Sequence, residues 1–333
     1  MNIIVPMAGM GKRMRPHTLT IPKPLIPVAG KPIAQHLVED IAKVCNEPLN
    51  EIAFVVGRFG KETEDHLLEV AKNLGAKGRI YYQDEALGTA HAILCAKDAL
   101  KGKVIVAFAD TLFKADFNMN DEEDGVLWVQ QIKDPSAFGV VKLNKQGYIT
   151  DFVEKPKEFV SDLAMIGIYY FKDGENLKRE LQYLIDNNIM NGGEYQLPEA
   201  LKNMTAKGLR FTPGKVEEWL DCGNKDATVY TNQRILKLKP SSANIHKTLE
   251  TNNSIVVPPC FIGEDVVLNN SVIGPYVSIG KNSVINNSVI SNSIINSSSN
   301  LNGLFIEESM IGNFVNYVKS PENISIGDYS TLN

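Results

Sequence analysis

From about Ile255 onward, aliphatic residues recur every five or six positions, and no other feature of the chain limits its fold so strongly. The series runs Ile262, Leu268, Ile273, Ile279, Ile285, Ile290, Ile295, Leu301, Ile306, Ile311, with Asn, Ser and Gly between and almost no helix formers. Glycine follows the apolar residue at Ile262, Ile273, Ile279, Ile311 and Ile326. A repeat of hexapeptide type, each unit one short strand and a turn, predicts a parallel β-helix. The repeated Ile and Val stack into a thin core, while Asn and Gly tolerate the turns. One rung cannot bury its own core, so the rungs are stable only together. A disordered polar tail would share this composition but not its aliphatic spacing.

Ahead of the repeat, from Met1 to about Lys237, strands and helices alternate. Asn2–Pro6, Glu51–Val56, Arg79–Tyr82 and Lys103–Phe108 read as strands. Helical patterns fall at about 32–44, 60–74 and 89–100. This order predicts a mostly parallel sheet covered on both faces, with ligand beyond the carboxyl ends of its strands. Four short strands follow between Gly125 and Phe171 and are expected to form a second, mixed sheet region walling one side of a pocket. Helices at about 175–187, 197–206 and 225–238, with strands near Phe211 and Val216–Leu220, complete the section. Pro240 marks the change in composition, so two domains are expected, 1–238 and 239–333.

The first strand empties into Met7-Ala-Gly-Met-Gly-Lys-Arg-Met-Arg-Pro16, closed by Ile21-Pro-Lys-Pro-Leu25. Gly9 and Gly11 free the backbone to bend and admit a bulky ligand closely. Exposed N–H groups of such a loop form an anion-binding concavity. Lys12, Arg13, Arg15 and Lys23 add charge, which suits a polyphosphate. The dinucleotide fingerprint and the Walker A spacing are both absent. The net charge of −5 over 333 residues argues against a general nucleic-acid or anionic-membrane binder. No apolar run approaches the roughly 20 residues that span a bilayer. The five-residue N-terminal apolar segment lacks a signal-peptide plan, and the scattered Cys45, Cys95, Cys222 and Cys260 read as reduced thiols, so a cytoplasmic location is expected.

Gly9-Met-Gly-Lys-Arg13-Met-Arg-Pro16, with Pro22-Lys23-Pro-Leu-Ile-Pro-Val28 and Gly30-Lys-Pro32, resembles the signature of the sugar-1-phosphate nucleotidylyltransferases. The resemblance implies a Rossmann-like mixed α/β sheet and, for the repeat, a left-handed parallel β-helix. It implies attack by a sugar 1-phosphate on the α-phosphorus of a nucleoside triphosphate, releasing pyrophosphate. Arg13 would orient the triphosphate and steady the leaving pyrophosphate, and Lys23 would contact the phosphates near the reacting centre. Asp110 and Asp221 would hold Mg²⁺. Asp221 lies in Trp219-Leu-Asp-Cys-Gly223, which is similar to the family's Trp-x-Asp-x-Gly. Ala109 stands where the family often has glycine before Asp110. Read alone, Asp110 is equally a helix N-cap.

By the same resemblance, the nucleotide side comprises Ala8, Gly9, Gly11, Arg13, Gln83, Gly88 and Thr89. Gln83 would hydrogen-bond a pyrimidine edge, and Gly88 would let the backbone reach the base. His91 reads as structural. The sugar-phosphate side comprises Gly139, Glu154, Lys155 and Gly167, with Lys155 gripping the phosphate and Glu154 accepting from hydroxyls. Gly193-Glu194-Tyr195 looks like a support segment without an assigned role. No acid–base residue is required, since the attacking phosphate oxygen is already ionised.

The expected substrates are dTTP or UTP with a hexose 1-phosphate, glucose 1-phosphate first. Enzymes making UDP-N-acetylglucosamine or GDP-mannose are the alternatives, and a non-catalytic regulatory subunit of the same fold is the reading from another class. Acetyl transfer in the β-helix is not expected: His246, the sole histidine beyond residue 240, precedes the repeats. The β-helix is expected to serve in homo-oligomerisation or regulation.

Overall fold

A computed structural model of the chain describes residues 1–9, 11–114, 123–239, 244–320, 323 and 325. Met10, Pro240 and Ile326, named above, lie outside them. The chain divides into two compact units: Met1–Pro27 with Lys31–Thr228, and Val28–Gly30 with Val229–Asn333.

In chain order the elements are β1 (Asn2–Pro6), β2 (Pro27–Val28), β3 (Lys31–Pro32), α1 (Ile33–Val44), β4 (Glu51–Val56), α2 (Lys61–Asn73), β5 (Lys77–Tyr82), α3 (Thr89–Cys95) and β6 (Val104–Ala107). There follow β7 (Thr111–Lys114), β8 (Gly125–Gln131), β9 (Gly139–Leu143), β10 (Ile149–Glu154), β11 (Leu163–Phe171), α4 (Gly174–Asp186), α5 (Leu197–Ala206), β12 (Phe211–Lys215), β13 (Glu218–Asp221) and α6 (Lys225–Leu238). β1 is flanked in parallel by β4 and β6, and β5 lies parallel to β4. Ile3, Ile4 and Val5 and the run Ile52–Val56 are fully buried, as strands covered on both faces require.

The strands between 125 and 171 do not form a second sheet. β11 pairs antiparallel with β6 through Ile168–Phe171, so they extend the first sheet, giving the order β10-β9-β11-β6-β1-β4-β5. At nine residues, β11 is long enough to pair with β6 on one edge and β8 on the other. β12 joins parallel to β8. The sheet is therefore mixed, and β7 with β13 forms a small antiparallel pair beside it. α3 ends at Cys95, short of the expected residue 100. Ala96, Ala99 and Leu100 are buried as the spacing predicts, but three-residue turns close them, with Ala96 N–H to Ile93 O and Ala99 N–H to Ala96 O.

The second unit is a stack of parallel short strands, running from Glu250–Asn252 to Asn316–Val318 in three sheets, consistent with a left-handed β-helix. The aliphatic series resolves into three columns. Ile262, Ile279, Ile295 and Ile311 stack in one; Leu268, Ile285 and Leu301 in the next; Ile273, Ile290 and Ile306 in the third. Together they form a continuous core. The rung length is 17 residues at first and 16 later.

The polar residues of the repeat have physical work as well. Asn253, Asn270 and Asn287 sit at positive φ in one corner, a conformation Asn tolerates. Their amides bond from rung to rung, Asn253 Nδ2 donating to Asn270 Oδ1 at 3.0 Å and Asn270 Nδ2 to Asn287 Oδ1 at 3.3 Å. Beside them, Ser271 accepts the Ser288 N–H at 3.1 Å and donates to Asn269 O at 2.8 Å. Asn232 of α6 belongs to this unit. Fully buried, its Oδ1 accepts from Ala29 N–H at 2.8 Å and Ser278 Oγ at 2.6 Å.

Candidate active site

β1 ends in the glycine loop, pinned where Met7 N–H donates to Val55 O at 2.8 Å. The two glycines differ in what they do. Gly9 has nothing within 4 Å of where a Cβ would stand, so its missing side chain leaves open space. Gly11 makes the bend: its φ is 55°, and a Cβ there would lie 2.8 Å from Lys23 Cβ. The Lys23 stem therefore passes against the loop because residue 11 is glycine. A single helical turn, Lys12–Met14, follows Gly11, with Met14 fully buried. Thr18 Oγ1 donates to Gly11 O at 2.8 Å and closes the loop.

Lys23 stands at the start of a second turn, between Pro22 and the buried Pro24. Its Nζ reaches Asp110 Oδ2 at 2.7 Å. Asp110 lies just past β6. Phe108 N–H donates to Gly167 O at 2.9 Å, which carries the chain out of β6 beside β11.

The β13–β7 ladder brings up the second acid. Asp221 is opposite Thr111, and Cys222 N–H donates to Asp110 O at 2.9 Å. Gly223 N–H donates to Asp221 Oδ1 at 3.0 Å. A Cβ on Gly223 would lie 3.0 Å from Asp221 Oδ1 and 3.2 Å from an Arg13 guanidinium nitrogen, so Arg13 and Asp221 flank this glycine. Burial and the Asp110 charge raise the Asp221 carboxyl above its ordinary range, opposed by Gly223 N–H, Lys23 and Arg13. Two acids and two long cations thus share one electrostatic environment.

Ala8, Gly9, Gly11, Lys23, Gln83, Gly88, Thr89 and Asp110 line one open pocket beyond the carboxyl ends of β1 and β6. Met7, Phe108 and Glu194 contribute to the same wall. Gln83 follows β5, its Nε2 donating to Gly88 O at 3.2 Å. The Thr89 hydroxyl donates to Gln196 Oε1 at 3.1 Å and accepts from Leu197 N–H at 2.9 Å. It is thus tied to the start of α5.

The expected sugar-side residues lie outside that wall. Gly139 faces Glu154 in the β9–β10 ladder, and a Cβ there would meet Glu154 Oε2 at 2.8 Å and Met165 Cε at 2.5 Å. Lys155 sits at φ 42°, its Nζ 3.7 Å from Glu154 Oε1. Gly167, at φ 86°, abuts Phe108. Tyr169 links the two groups. It is buried edge-on to Phe108, and its phenol pKa is raised by burial, Glu154 and Asp110.

Sequence reasoning left Glu194 and Phe108 without a place in the pocket. Gly192 and Gly193, both at positive φ, turn the chain so that Tyr195 N–H donates to Leu87 O at 2.8 Å and Tyr195 O accepts from Ala90 N–H at 2.9 Å. A Cβ on Gly88 would strike Tyr195 O at 2.5 Å, so close chain crossing is a reason for that glycine beside any approach of a base. Trp219 packs edge-on to Phe138 at 4.8 Å, a contact no spacing announces.

The donors that could hold a metal are two carboxylates, Asp110 and Asp221. Hard oxygen donors that repel one another suit a hard divalent cation such as Mg²⁺. No group of three or more His, Cys, Asp or Glu able to hold a metal occurs among the described residues. Nor is any helix among them long and apolar enough to cross a membrane.

A family model described as nucleotidyl transferase matches residues 2–237. The chain is similar to the low-salt glycan biosynthesis nucleotidyltransferase Agl11 of Haloferax volcanii, 30% identical over 245 residues, covering 69% of this chain and 65% of that protein. It is also similar to the bifunctional protein GlmU of Methanocaldococcus jannaschii, 31% identical over 240 residues, covering 71% of this chain and 54% of that one. The chain thus spans less than two thirds of the length of either relative. In fold it is similar to a protein described as a glucose-1-phosphate thymidylyltransferase from Bacillus anthracis, with TM-score 0.60, 23% identity, and 74% of this chain and 96% of that one covered.

Proposed function

The chain belongs to the nucleotidyl transferase family, and on that premise we propose that it couples a nucleoside triphosphate to a sugar 1-phosphate. An oxygen of the sugar phosphate attacks the α-phosphorus. The bond from that phosphorus to the β-phosphate bridging oxygen breaks, and the NDP-sugar and pyrophosphate result. The observation that carries this reading is the meeting of the glycine loop, Lys23 and Asp110 in one pocket, with Asp221 and Arg13 beside it.

Both reactants are anions, so the barrier is set by repulsion and alignment. Lys23 and Arg13 supply the counter-charge: Lys23 near the α-phosphate, Arg13 toward the leaving pyrophosphate. The loop N–H groups around Gly9 and Gly11 hold phosphate oxygens. Asp110 and Asp221 would hold Mg²⁺, which when bound neutralises phosphate charge. Gln83, Gly88, Thr89 and Ala8 would contact the nucleoside. Lys155 would grip the sugar phosphate and Glu154 the sugar hydroxyls, with Gly139 and Gly167 admitting the ring. No side chain has to take a proton from the attacking oxygen.

For substrates we favour dTTP or UTP with glucose 1-phosphate. A pyrophosphate-release assay over the nucleoside triphosphates, each with glucose, N-acetylglucosamine or mannose 1-phosphate, tests the reading. Release that needs both substrates supports it. Nucleotide binding without release from any pair would support a non-catalytic regulator instead.

A further inference from the structure

Gln83 lines the pocket, and its Nε2 has two neighbours that together hold its amide. Gly88 O lies 3.2 Å away and His91 Nδ1 lies 3.1 Å away. A carbonyl oxygen can only accept, so the amide atom facing Gly88 must be the nitrogen. That nitrogen has only donors to offer. Nδ1 of His91 must then be the bare ring nitrogen, and the ring carries its proton on Nε2. Burial lowers the His91 pKa below its ordinary value, against the opposing charge of Glu85, and so favours the neutral ring. With the nitrogen held twice, Gln83 Oε1 is the amide atom left for a ligand in a pocket that Gln83 lines.

We propose that His91 is a positioning residue for base selection: by accepting from the Gln83 nitrogen that also faces Gly88 O, it gives the amide a second anchor and holds its oxygen toward the bound base. The site then takes a base whose ring edge offers an N–H, as uracil, thymine and guanine do. It rejects cytosine and adenine, whose bare ring nitrogen would face the amide oxygen with no proton between them. The inference rests on the proposed nucleotidyl transfer and adds how that site chooses its nucleotide.

The test is calorimetric titration of the full chain with UTP and with CTP, which reads selection without turnover. Wild type is expected to bind UTP at least about tenfold more tightly than CTP, the scale of one hydrogen bond made or opposed. His91→Leu removes one of the two acceptors and should shrink the UTP-to-CTP ratio at least about threefold, since Gly88 O alone then holds the amide. His91→Asn, whose side-chain oxygen can replace Nδ1, should restore the preference. Equal affinities in wild type, or an unchanged ratio in His91→Leu, would overturn the His91 role while leaving nucleotidyl transfer standing. Absence of any triphosphate binding by wild type would overturn both. The tautomer is readable without a variant: ¹⁵N NMR of labelled wild type should show His91 protonated on Nε2, and protonation on Nδ1 would overturn the inference.

Discussion

Lys23 Nζ donates to Asp110 Oδ2 at 2.7 Å, joining residues 87 positions apart in the chain. The cation proposed for the triphosphate and the acid proposed for its metal are held by one contact. Gly11 sets the geometry, because the Lys23 stem fills the space a side chain there would need. Lys23→Ala should therefore cut kcat by about 100-fold to 1,000-fold, the scale seen when one preorganised charge partner is removed. The fold should survive, since Met14 and Pro24 remain buried anchors. Steady-state pyrophosphate release checks this, and a loss under about threefold would contradict it.

Asp221→Asn keeps the shape of the side chain and removes its charge. Turnover with Mg²⁺ should fall at least about 1,000-fold, because two acids rather than one are assigned to the cation. Mn²⁺ titration followed by electron paramagnetic resonance gives an independent readout, with binding expected in wild type and weakened in the variant. Wild-type turnover in either Asp110→Asn or Asp221→Asn would remove the metal assignment.

Lys155 is mostly exposed and meets Glu154 at 3.7 Å, a contact worth little by itself. Lys155→Ala should raise KM for the sugar phosphate about tenfold and leave kcat within about threefold, as expected when ground-state binding is lost. An unchanged KM would count against the assigned grip. The left-handed backbone at Lys155 gives no reason for the lysine, so stability should change little on this substitution.

Ile285 is fully buried in the middle of its column of the β-helix, between Leu268 and Leu301. Ile285→Ala should cost about 2–5 kcal/mol. Because each rung covers its neighbours, the loss should be shared along the stack. Hydrogen exchange followed by mass spectrometry should show peptides throughout 262–306 exchanging faster together. Acceleration confined to the rung of Ile285 would contradict a cooperative stack.

Local pattern carried much of this architecture. β1, β4, α5 and α6 match the stretches their apolar spacing predicts, and the aliphatic series of the repeat forms the coil core. Pattern did not carry partnership. Nothing in the run Ala164–Phe171 says that it pairs with β6, because ladder bonds are made by backbone groups common to every strand. For the same reason the crossing of Tyr195 over Gly88 was hidden, and with it the place of Glu194 in the pocket. Asp110 shows the limit most clearly. Alone it reads as a helix cap, and only the β7–β13 pairing places Asp221 next to it.

The most direct test of the account is ³¹P NMR of the full chain with Mg²⁺, UTP or dTTP, and glucose 1-phosphate. The prediction is that the triphosphate and sugar-phosphate resonances fall together while an NDP-sugar and pyrophosphate rise in equal amounts. Growth of inorganic phosphate from the γ-position, or spectra unchanged with every triphosphate and hexose 1-phosphate tried, would contradict it.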